Sequence, residues 1–372
     1  MYNKKRIELE MKGDGGLPVG RKKRMEVQKY TIDQETSYRL SVLKFIFMVM
    51  VVFIHSDALP ELPFELEVPM YMEACKRFVT GGICATAIPG FFFISGFLLF
   101  SKNFTWIGNM KKKMRSILLP YMLINSFWIL FFKIMQSMEE TAPWFSGEAY
   151  QVTGVEGVIR AFCAPIPLYY PFWFLRDLFI LNIFAKALQV LMDKTPLAGL
   201  ILAVGAGFNI IPLPFLVSNS SFCMFIMGYY VGRYMEDMRR LDRIRIWEAG
   251  SVFLLTIICK LYIADQTAVM LLHSLTGILF FYRLSGLIYG RTVFAKMLWC
   301  SQFSFFIFAF HEYYEAMAKK IIMMLIPQYG FVQLLEYFVL PCAVTVICIA
   351  VGAILKKYFR PLYCVLCGYR EG

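Results

Sequence analysis

The chain has 372 residues, of which 59% are hydrophobic and only 17% are charged, and its formal net charge is +12 at pH 7. A soluble globular domain would carry about 25% charged residues, so this composition excludes an ordinary soluble protein and indicates an integral membrane protein. The positive charge would suggest nucleic-acid binding in a soluble protein. Here the basic residues lie between apolar runs, as expected for orientation in a membrane, and no nucleic-acid partner is predicted.

Ten apolar segments are long enough, or nearly so, to form transmembrane helices, because crossing a bilayer takes about 20 residues. The predicted fold class is therefore all-α, a polytopic membrane protein with about ten transmembrane helices. We place these helices near residues 40–56, 82–100, 117–136, 172–192, 196–211, 217–232, 249–263, 268–282, 299–322 and 334–355.

The distribution of basic residues predicts that both termini are cytoplasmic. With ten spans in this orientation, 28 of the 38 Lys and Arg residues fall in cytoplasmic segments and five fall in outer segments. Basic residues concentrate on the cytoplasmic side of membrane proteins. The predicted domains are a flexible basic cytoplasmic tail (1–36), a transmembrane domain (37–360) and a short cytoplasmic tail (361–372).

The first predicted span contains two ionisable residues, Lys44 and His55, in an otherwise apolar run. Eleven residues turn an α-helix through three turns plus about 20° and advance it by roughly 16 Å, so the two residues share one face at opposite depths. An ionisable residue within a span is costly unless it faces a cavity or a partner, which makes each a functional candidate. The structural alternative is that Lys44 extends to the inner headgroups and His55 caps the helix at the outer interface.

Two further segments admit both a binding and a structural interpretation. Lys112 and Arg115 are three residues apart before the third span, where basic side chains suit a phosphate-containing ligand or anchor the helix on the cytoplasmic side. In the second span, Gly90, Ser95 and Gly96 permit close helix packing, which is the simpler interpretation, or leave room for an extended ligand.

The fourth span carries a charged pair near its outer end, Arg176 and Asp177. Adjacent residues on a helix point about 100° apart, so each is expected to find a partner elsewhere. His55 and Asp57 lie at a compatible depth.

The ninth span places His311 in its middle, with Glu315 four residues later on the same face and Glu312 adjacent. A histidine and two carboxylates within a span are hard to explain by packing alone. His273 has no acidic neighbour in the sequence and is expected to be structural. The ten cysteines lie mostly in apolar segments without zinc-site spacing, so no metal site is predicted.

Together these stretches resemble the acyltransferase 3 family, ten-span membrane enzymes that O-acylate sugars of the bacterial envelope. The matching features are a basic residue followed after ten residues by His, a basic-x-x-basic pair and three aromatic-rich segments: Lys44 to His55, Lys112 with Arg115, residues 91–99, residues 172–178 and the run ending at His311. The family more often has Arg at the first position, and a Lys lacks bidentate phosphate geometry. We expect no appended extracellular esterase-like domain of the kind that some relatives carry.

The resemblance implies an O-acetyltransferase of the bacterial plasma membrane. It would move an acetyl group from cytosolic acetyl-CoA to a hydroxyl of a surface polysaccharide, peptidoglycan or lipid-linked sugar, with membrane lipid as a further partner and no metal cofactor. The residues assigned to the donor are Lys44, Lys112, Arg115, Ser95 and Arg176.

The resemblance also implies that His55 acts as a general base or as a transient acyl carrier. Asp57, Asp177 or Glu315 would orient it, and His311 joins the predicted catalytic group. The alternative function is a proton-coupled secondary transporter, in which the same histidines and carboxylates relay protons.

Overall fold

The computed structural model describes residues 32–56, 68–145, 147, 150–165, 167–212, 217–235, 237–263 and 267–370, and no β-strand occurs within these ranges. A helix lies at each of the ten predicted positions. In chain order the α-helices are α1 Gln34–Ser56, α2 Met70–Lys76, α3 Ala87–Phe100, α4 Trp106–Lys113, α5 Leu119–Ser137, α6 Gly154–Cys163, α7 Trp173–Lys194, α8 Pro196–Gly207, α9 Asn219–Tyr234, α10 Ile246–Tyr262, α11 Thr267–Leu287, α12 Thr292–Ser301, α13 Ser304–Leu325, α14 Gly330–Tyr358 and α15 Arg360–Leu366.

Several of these helices are long and apolar enough to cross a bilayer. Among the residues that the structure describes, five meet this requirement by length and composition: α1, Met70–Phe100, Trp106–Ser137, Val269–Leu287 and α14. A sixth span results if the bent pair α12 and α13 is counted as one. The all-α, multi-pass membrane fold is confirmed, whereas ten spans and cytoplasmic termini stay predictions.

The prediction of one continuous helix over 299–322 is wrong. The chain bends by 72° between α12 and α13, at Gln302 and Phe303. Groups from the last two helices bind the bend: Tyr363 Oη donates to the Gln302 carbonyl at 3.2 Å, and Lys356 Nζ donates to Gln302 Oε1 at 2.7 Å. Because no proline or glycine marks this position, the local sequence does not indicate the break.

The third span also differs from its prediction. Its helix begins at Trp106, where the Thr105 hydroxyl accepts a hydrogen bond from the Gly108 amide, and it continues through a π-helical segment, Met114–Leu118, into α5. The lysine cluster expected to precede the span therefore lies inside the helix. The wider π turn alters which side chains share a face, so the spacing of Lys112 and Arg115 does not align them as it would in a regular α-helix.

The closest helix pair, α3 and α9, meets through glycines. A Cβ added to Gly228 would lie against the Phe93 carbonyl oxygen and 2.7 Å from the Phe97 nitrogen. A Cβ added to Gly96 would meet the carbonyl group of Phe225. Backbones approach this closely only where small residues face each other. The packing interpretation of Gly96 is therefore confirmed.

Gly228→Ala is expected to destabilise the protein by about 1–3 kcal/mol, because the added methyl group forces two backbones apart. Thermal unfolding of the purified variant in lipid nanodiscs measures the loss. Gly81→Ala is the matched control, since a Cβ at Gly81 meets no atom within 4 Å. Equal melting temperatures for the two variants would contradict the close packing of α3 and α9.

A buried ion cluster holds the start of α1. The side chain of Arg39 is 0% exposed, and its two terminal nitrogens each donate to a carboxylate oxygen of Asp242 at 2.8 Å. Its guanidinium also lies 4.1 Å above the centre of the Tyr282 ring. Burial favours a raised pKa for Asp242, but the hydrogen bond from Arg39 and the charges of Arg39 and Arg283 outweigh it, so the pKa lies below its ordinary value of 3.8.

Asp242→Asn is expected to destabilise the fold by about 3 kcal/mol, because it removes the bidentate counter-charge of the buried Arg39 guanidinium and leaves it only the longer contact with Glu35, at 3.5 Å. Since the pKa of Asp242 is depressed, the stabilisation is present above pH 3.8 and is lost as the pH falls below that value. Chemical denaturation at pH 7 tests this. Asp237→Asn, which removes the exposed ion pair with Arg239, should leave stability nearly unchanged.

Candidate active site

The C-terminal end of α1 places His55 against α13. The ring of His55 lies 4.9 Å from the ring of His311, centre to centre, with an interplanar angle of 75°. Its Nδ1 lies 3.9 Å from Glu312 Oε1. The side chains of His55 and Glu312 are 12% and 18% exposed, so the group is largely enclosed but reachable. Two histidines predicted on separate spans therefore meet at one place.

The ring orientation of His311 follows from its contacts. Its Nδ1 lies 3.0 Å from the Ile307 carbonyl oxygen and 3.1 Å from that of Phe308. A carbonyl oxygen only accepts, so Nδ1 carries the hydrogen and Nε2 of the neutral ring is an acceptor. Nε2 is buried without a hydrogen-bond partner among the described residues. Such an atom costs free energy unless a donor reaches it, which makes His311 Nε2 a candidate acceptor in the site.

Glu315 is buried one turn beyond His311, as the spacing predicts, with 1% of its surface exposed. Its charge interacts with Lys319, and Lys319 Nζ donates to the Ser56 carbonyl at 2.7 Å. Glu315 is thus connected to the residue that follows His55. Among the described residues, the carboxylate that reaches the His55 ring is Glu312, which was not among the catalytic residues predicted from the sequence.

The expectation that Arg176 and Asp177 pair elsewhere is wrong. Arg176 Nη2 donates to Asp177 Oδ1 at 2.8 Å, because the long arginine side chain bends back across the angle between neighbouring positions. Asp177 Oδ2 accepts a hydrogen bond from the Ser218 amide at 3.0 Å. The structure therefore places Asp177 with Arg176 and Ser218 rather than with His55. Asp57 lies outside the described residues.

Eleven residues before His55, in the middle of α1, Lys44 belongs to a basic cluster, which we define as Lys44, Lys113 and Arg370. Lys44 and Lys113 are half-buried, and each interacts electrostatically with the charge of Arg370. No carboxylate of a described residue interacts with these three cations. Uncompensated positive charge of this kind indicates an anion-binding site.

Arg370 reaches the basic cluster because the C-terminal segment folds back. Its Nη2 donates to the Ser116 carbonyl at 2.7 Å, and its guanidinium lies 3.8 Å above the Phe305 ring. More than a third of its surface is accessible, yet enclosure by protein lowers the pKa of Arg370 to about 10, which leaves it charged at neutral pH. Together these facts describe a side chain in a solvent-filled recess.

The remaining predicted donor residues occupy other surroundings. Lys112 is exposed and lies within electrostatic range of Lys113, whereas Arg115 is exposed and Ser95 is half-buried on α3. Assignment of these three to the donor stays a prediction. His273 binds two hydroxyls, with Nε2 3.3 Å from Thr86 Oγ1 and Nδ1 3.4 Å from Thr256 Oγ1, as suits a structural histidine.

Lys113 and Arg370 were not assigned to the donor from the sequence. Lys113 stands next to Lys112 in the same basic run and had a usable signal, whereas Arg370 lies in a segment interpreted as a tail and had none. Among the described residues, no group of three or more potential ligands is arranged to hold a metal ion.

Comparison with known proteins decides the family. The acyltransferase domain family matches residues 37–355, which is most of the chain. The chain belongs to the acyltransferase 3 family. This acyltransferase is also 24% identical over 358 residues to the succinoglycan biosynthesis protein ExoH of Rhizobium meliloti (strain 1021), covering 92% of the chain and 94% of that relative. No solved structure matches it.

Membership of this family confirms the resemblance drawn from Lys44, His55 and the aromatic-rich segments. The chain is a membrane acyltransferase, and the transporter alternative is not supported. The residues of the site described above all fall within the matched region except Arg370, which lies beyond its end at residue 355.

Proposed function

We propose that this membrane acyltransferase moves an acetyl group from acetyl-CoA to a hydroxyl of a cell-envelope polysaccharide or lipid-linked sugar. The observation that carries the proposal is that α1 joins two different sites. Unpaired cations surround Lys44 near its N-terminal half, and two histidines with a glutamate meet at His55 near its C-terminal end. A donor with an anionic end and a reactive end suits this arrangement.

The basic cluster is the proposed site for the phosphates of the donor. Phosphate groups bind Arg and Lys through strong charge-assisted hydrogen bonds. Lys44, Lys113 and Arg370 supply three positive charges that no described carboxylate neutralises. The roughly 16 Å rise between Lys44 and His55 lets the extended arm of the donor carry its thioester from one site to the other.

The histidine group, which we define as His55, His311 and Glu312, is the proposed site of acyl transfer. The acceptor hydroxyl oxygen attacks the carbonyl carbon of the thioester while His55 takes the hydroxyl proton as general base. The carbon–sulfur bond then breaks, the acetyl ester forms, and the thiolate leaves and receives a proton. Glu312 orients His55, and His311, whose Nε2 is an acceptor without a partner, lies against the same ring.

Transient acylation of His55 is the second route that these groups support. In that route the imidazole attacks the thioester, and the acceptor hydroxyl then takes the acetyl group from the histidine. Release of thiol in a fast initial burst, before any product ester forms, distinguishes this route from direct transfer.

The acceptor is proposed from the relative and from the orientation of the chain. The matched relative is a succinoglycan biosynthesis protein, which supports a polysaccharide or its lipid-linked precursor. In the proposed topology the chain crosses the bacterial plasma membrane ten times with both termini in the cytoplasm, because basic residues concentrate in the segments this orientation places inside. Cytosolic donor and outer acceptor then meet at His55.

Membrane vesicles test the proposal directly. Inside-out vesicles that contain the protein are supplied with acetyl-CoA labelled in the acetyl group, and label is measured in extracted glycan before and after mild base, which cleaves esters. We expect base-labile label that depends on the protein. Vesicles that take up or release protons with substrate but incorporate no label would overturn the proposed function.

A further inference from the structure

A cavity of 390 Å³ opens beside the histidine group, at the N-terminal end of α7. Its walls combine two aromatic rings with charged and polar groups, and its lining residues are Pro165, Tyr170, Trp173, Arg176, Asp177, Val217, Ser218 and Asn219. Small-molecule sites have volumes of about 300–1,000 Å³ and mix apolar walls with a few fixed polar groups. None of the roles assigned above uses this cavity as a whole.

Tyr170 lies between the cavity and the histidine group. The ring of Tyr170 lines the cavity, and it also lies 5.8 Å from the ring of His55, centre to centre, in an edge-on arrangement. A ligand that packs against Tyr170 therefore lies beside the proposed base. The cavity is placed to hold the molecule that donates its proton to His55.

The charges of the cavity favour a neutral ligand. Arg176 and Asp177 neutralise each other through bonds of 2.8 Å and 3.3 Å, and Arg176 Nη1 also donates to the Ala164 carbonyl at 3.0 Å. Asp177 is held further by the Ser218 amide. The basic cluster is the opposite case, because its cations have no described counter-charge. An anion thus prefers the basic cluster, and a neutral polar molecule suits the cavity.

The aromatic walls of the cavity favour a sugar among neutral polar ligands. Trp173 and Tyr170 each present a broad apolar ring that carries one polar group. A sugar ring has an apolar face of C–H groups that packs on such a ring, and hydroxyls around its edge that need both donors and acceptors. The Arg176 guanidinium, whose side chain is 17% exposed, supplies donors, and the hydroxyl of Tyr170, a residue 46% exposed, both donates and accepts. The Asp177 carboxylate is 1% exposed and holds Arg176 in place.

We propose that this cavity binds a pyranose ring of the acyl acceptor, with Trp173 as the stacking platform and Arg176, held in place by Asp177, as a hydrogen-bonding group. The inference rests on the proposed function for the identity of the acceptor and adds where its sugar is held. Tyr170 lies between this ring and His55, so the hydroxyl that is acylated is one that extends past the edge of Tyr170 to the imidazole.

Steady-state kinetics in nanodiscs test the role of Trp173. With acetyl-CoA saturating, Trp173→Ala is expected to raise the KM for the glycan acceptor about tenfold, because a buried aromatic contact contributes about 1.5 kcal/mol, and to leave the KM for acetyl-CoA unchanged. Trp173→Phe keeps an aromatic face and should restore most of the affinity. Trp144→Ala is the matched control, since Trp144 is exposed and does not line the cavity.

A binding measurement separates this inference from the proposed function. Saturation-transfer NMR on the protein in nanodiscs, with methyl pyranosides of glucose, galactose, mannose and N-acetylglucosamine as probes, should show contact with sugar ring protons for the wild type and Trp173→Phe but not for Trp173→Ala. Sugar contact without any acyl transfer would sink the proposed function alone. Acyl transfer with an unchanged acceptor KM in Trp173→Ala, or no contact with any pyranoside, would overturn the cavity's role.

Discussion

His55→Ala is expected to lower the rate of acyl transfer by about 10²–10⁴-fold, the usual contribution of a positioned general base. The imidazole lies against His311 and within 3.9 Å of Glu312, so its removal takes away the acceptor of the hydroxyl proton or the acyl carrier. The KM for acetyl-CoA should change little, because the proposed phosphate site at Lys44 lies eleven residues away from His55 along α1. The measurement is transfer of labelled acetyl groups by folded protein in nanodiscs.

The control for this prediction is His273→Gln. His273 is buried with two threonine hydroxyls, and glutamine keeps a hydrogen-bonding group there. This variant should transfer acetyl groups at nearly the wild-type rate. If His55→Ala kept the wild-type rate and melting temperature, His55 would be neither base nor carrier.

Removal of any one cation of the basic cluster is expected to raise the KM for acetyl-CoA at least tenfold. A hydrogen bond to a charged group contributes about 1.5–3 kcal/mol, and each 1.4 kcal/mol corresponds to a factor of ten. The variants are Lys44→Ala, Lys113→Ala and Arg370→Ala, measured by initial rates over a range of donor concentrations. The KM should also rise with salt, since the site depends on charge.

Two comparison variants test whether the effect on the KM is specific to the basic cluster. Lys102→Ala removes an exposed cation that does not interact with the basic cluster and should leave the KM unchanged. Arg115→Ala distinguishes the donor site predicted from the sequence, which includes Arg115, from the basic cluster seen in the structure, which does not. Arg115 is exposed and lies outside the basic cluster. A large effect at Arg115 with none at Arg370 would return the donor site to the residues predicted from spacing.

The spacing of Lys44 and His55 is a feature of the site that the sequence predicts. Helical periodicity places them on one face of one helix, and α1 indeed contains both. The spacing likewise predicts residues that share a helix, such as His311 and Glu315, which both lie on α13. Partners on other helices are not: the sequence offered Asp177 and Glu315 for His55, and among the described residues the carboxylate in contact is Glu312. Asp57, also offered, lies outside the described residues. Glu312 and Glu315 are three residues apart on α13 and point about 60° apart, so only the packing of α1 on α13 selects between them.

The position of Arg370 and the bend in the ninth span also depend on contacts between distant parts of the chain, which the sequence does not predict. A cation far along the chain joins Lys44 because α15 packs back on the bundle, and the bend at Gln302 is held by Tyr363 and Lys356 from that end of the chain. No proline or glycine marks the bend at Gln302. Gly368, with φ +66°, marks a turn two residues before Arg370, but it does not indicate which helices the turn meets.

By itself, the sequence determined the helices, the membrane and the family, because hydrophobic length and residue spacing are local properties that a single chain displays directly. The tertiary structure decided which carboxylate meets His55, which cations surround Lys44, and that a neutral aromatic cavity lies beside the base. These contacts join residues that are far apart in the chain, such as His55 with Glu312 and Lys44 with Arg370, and the side-chain directions that create them are set by how the helices pack.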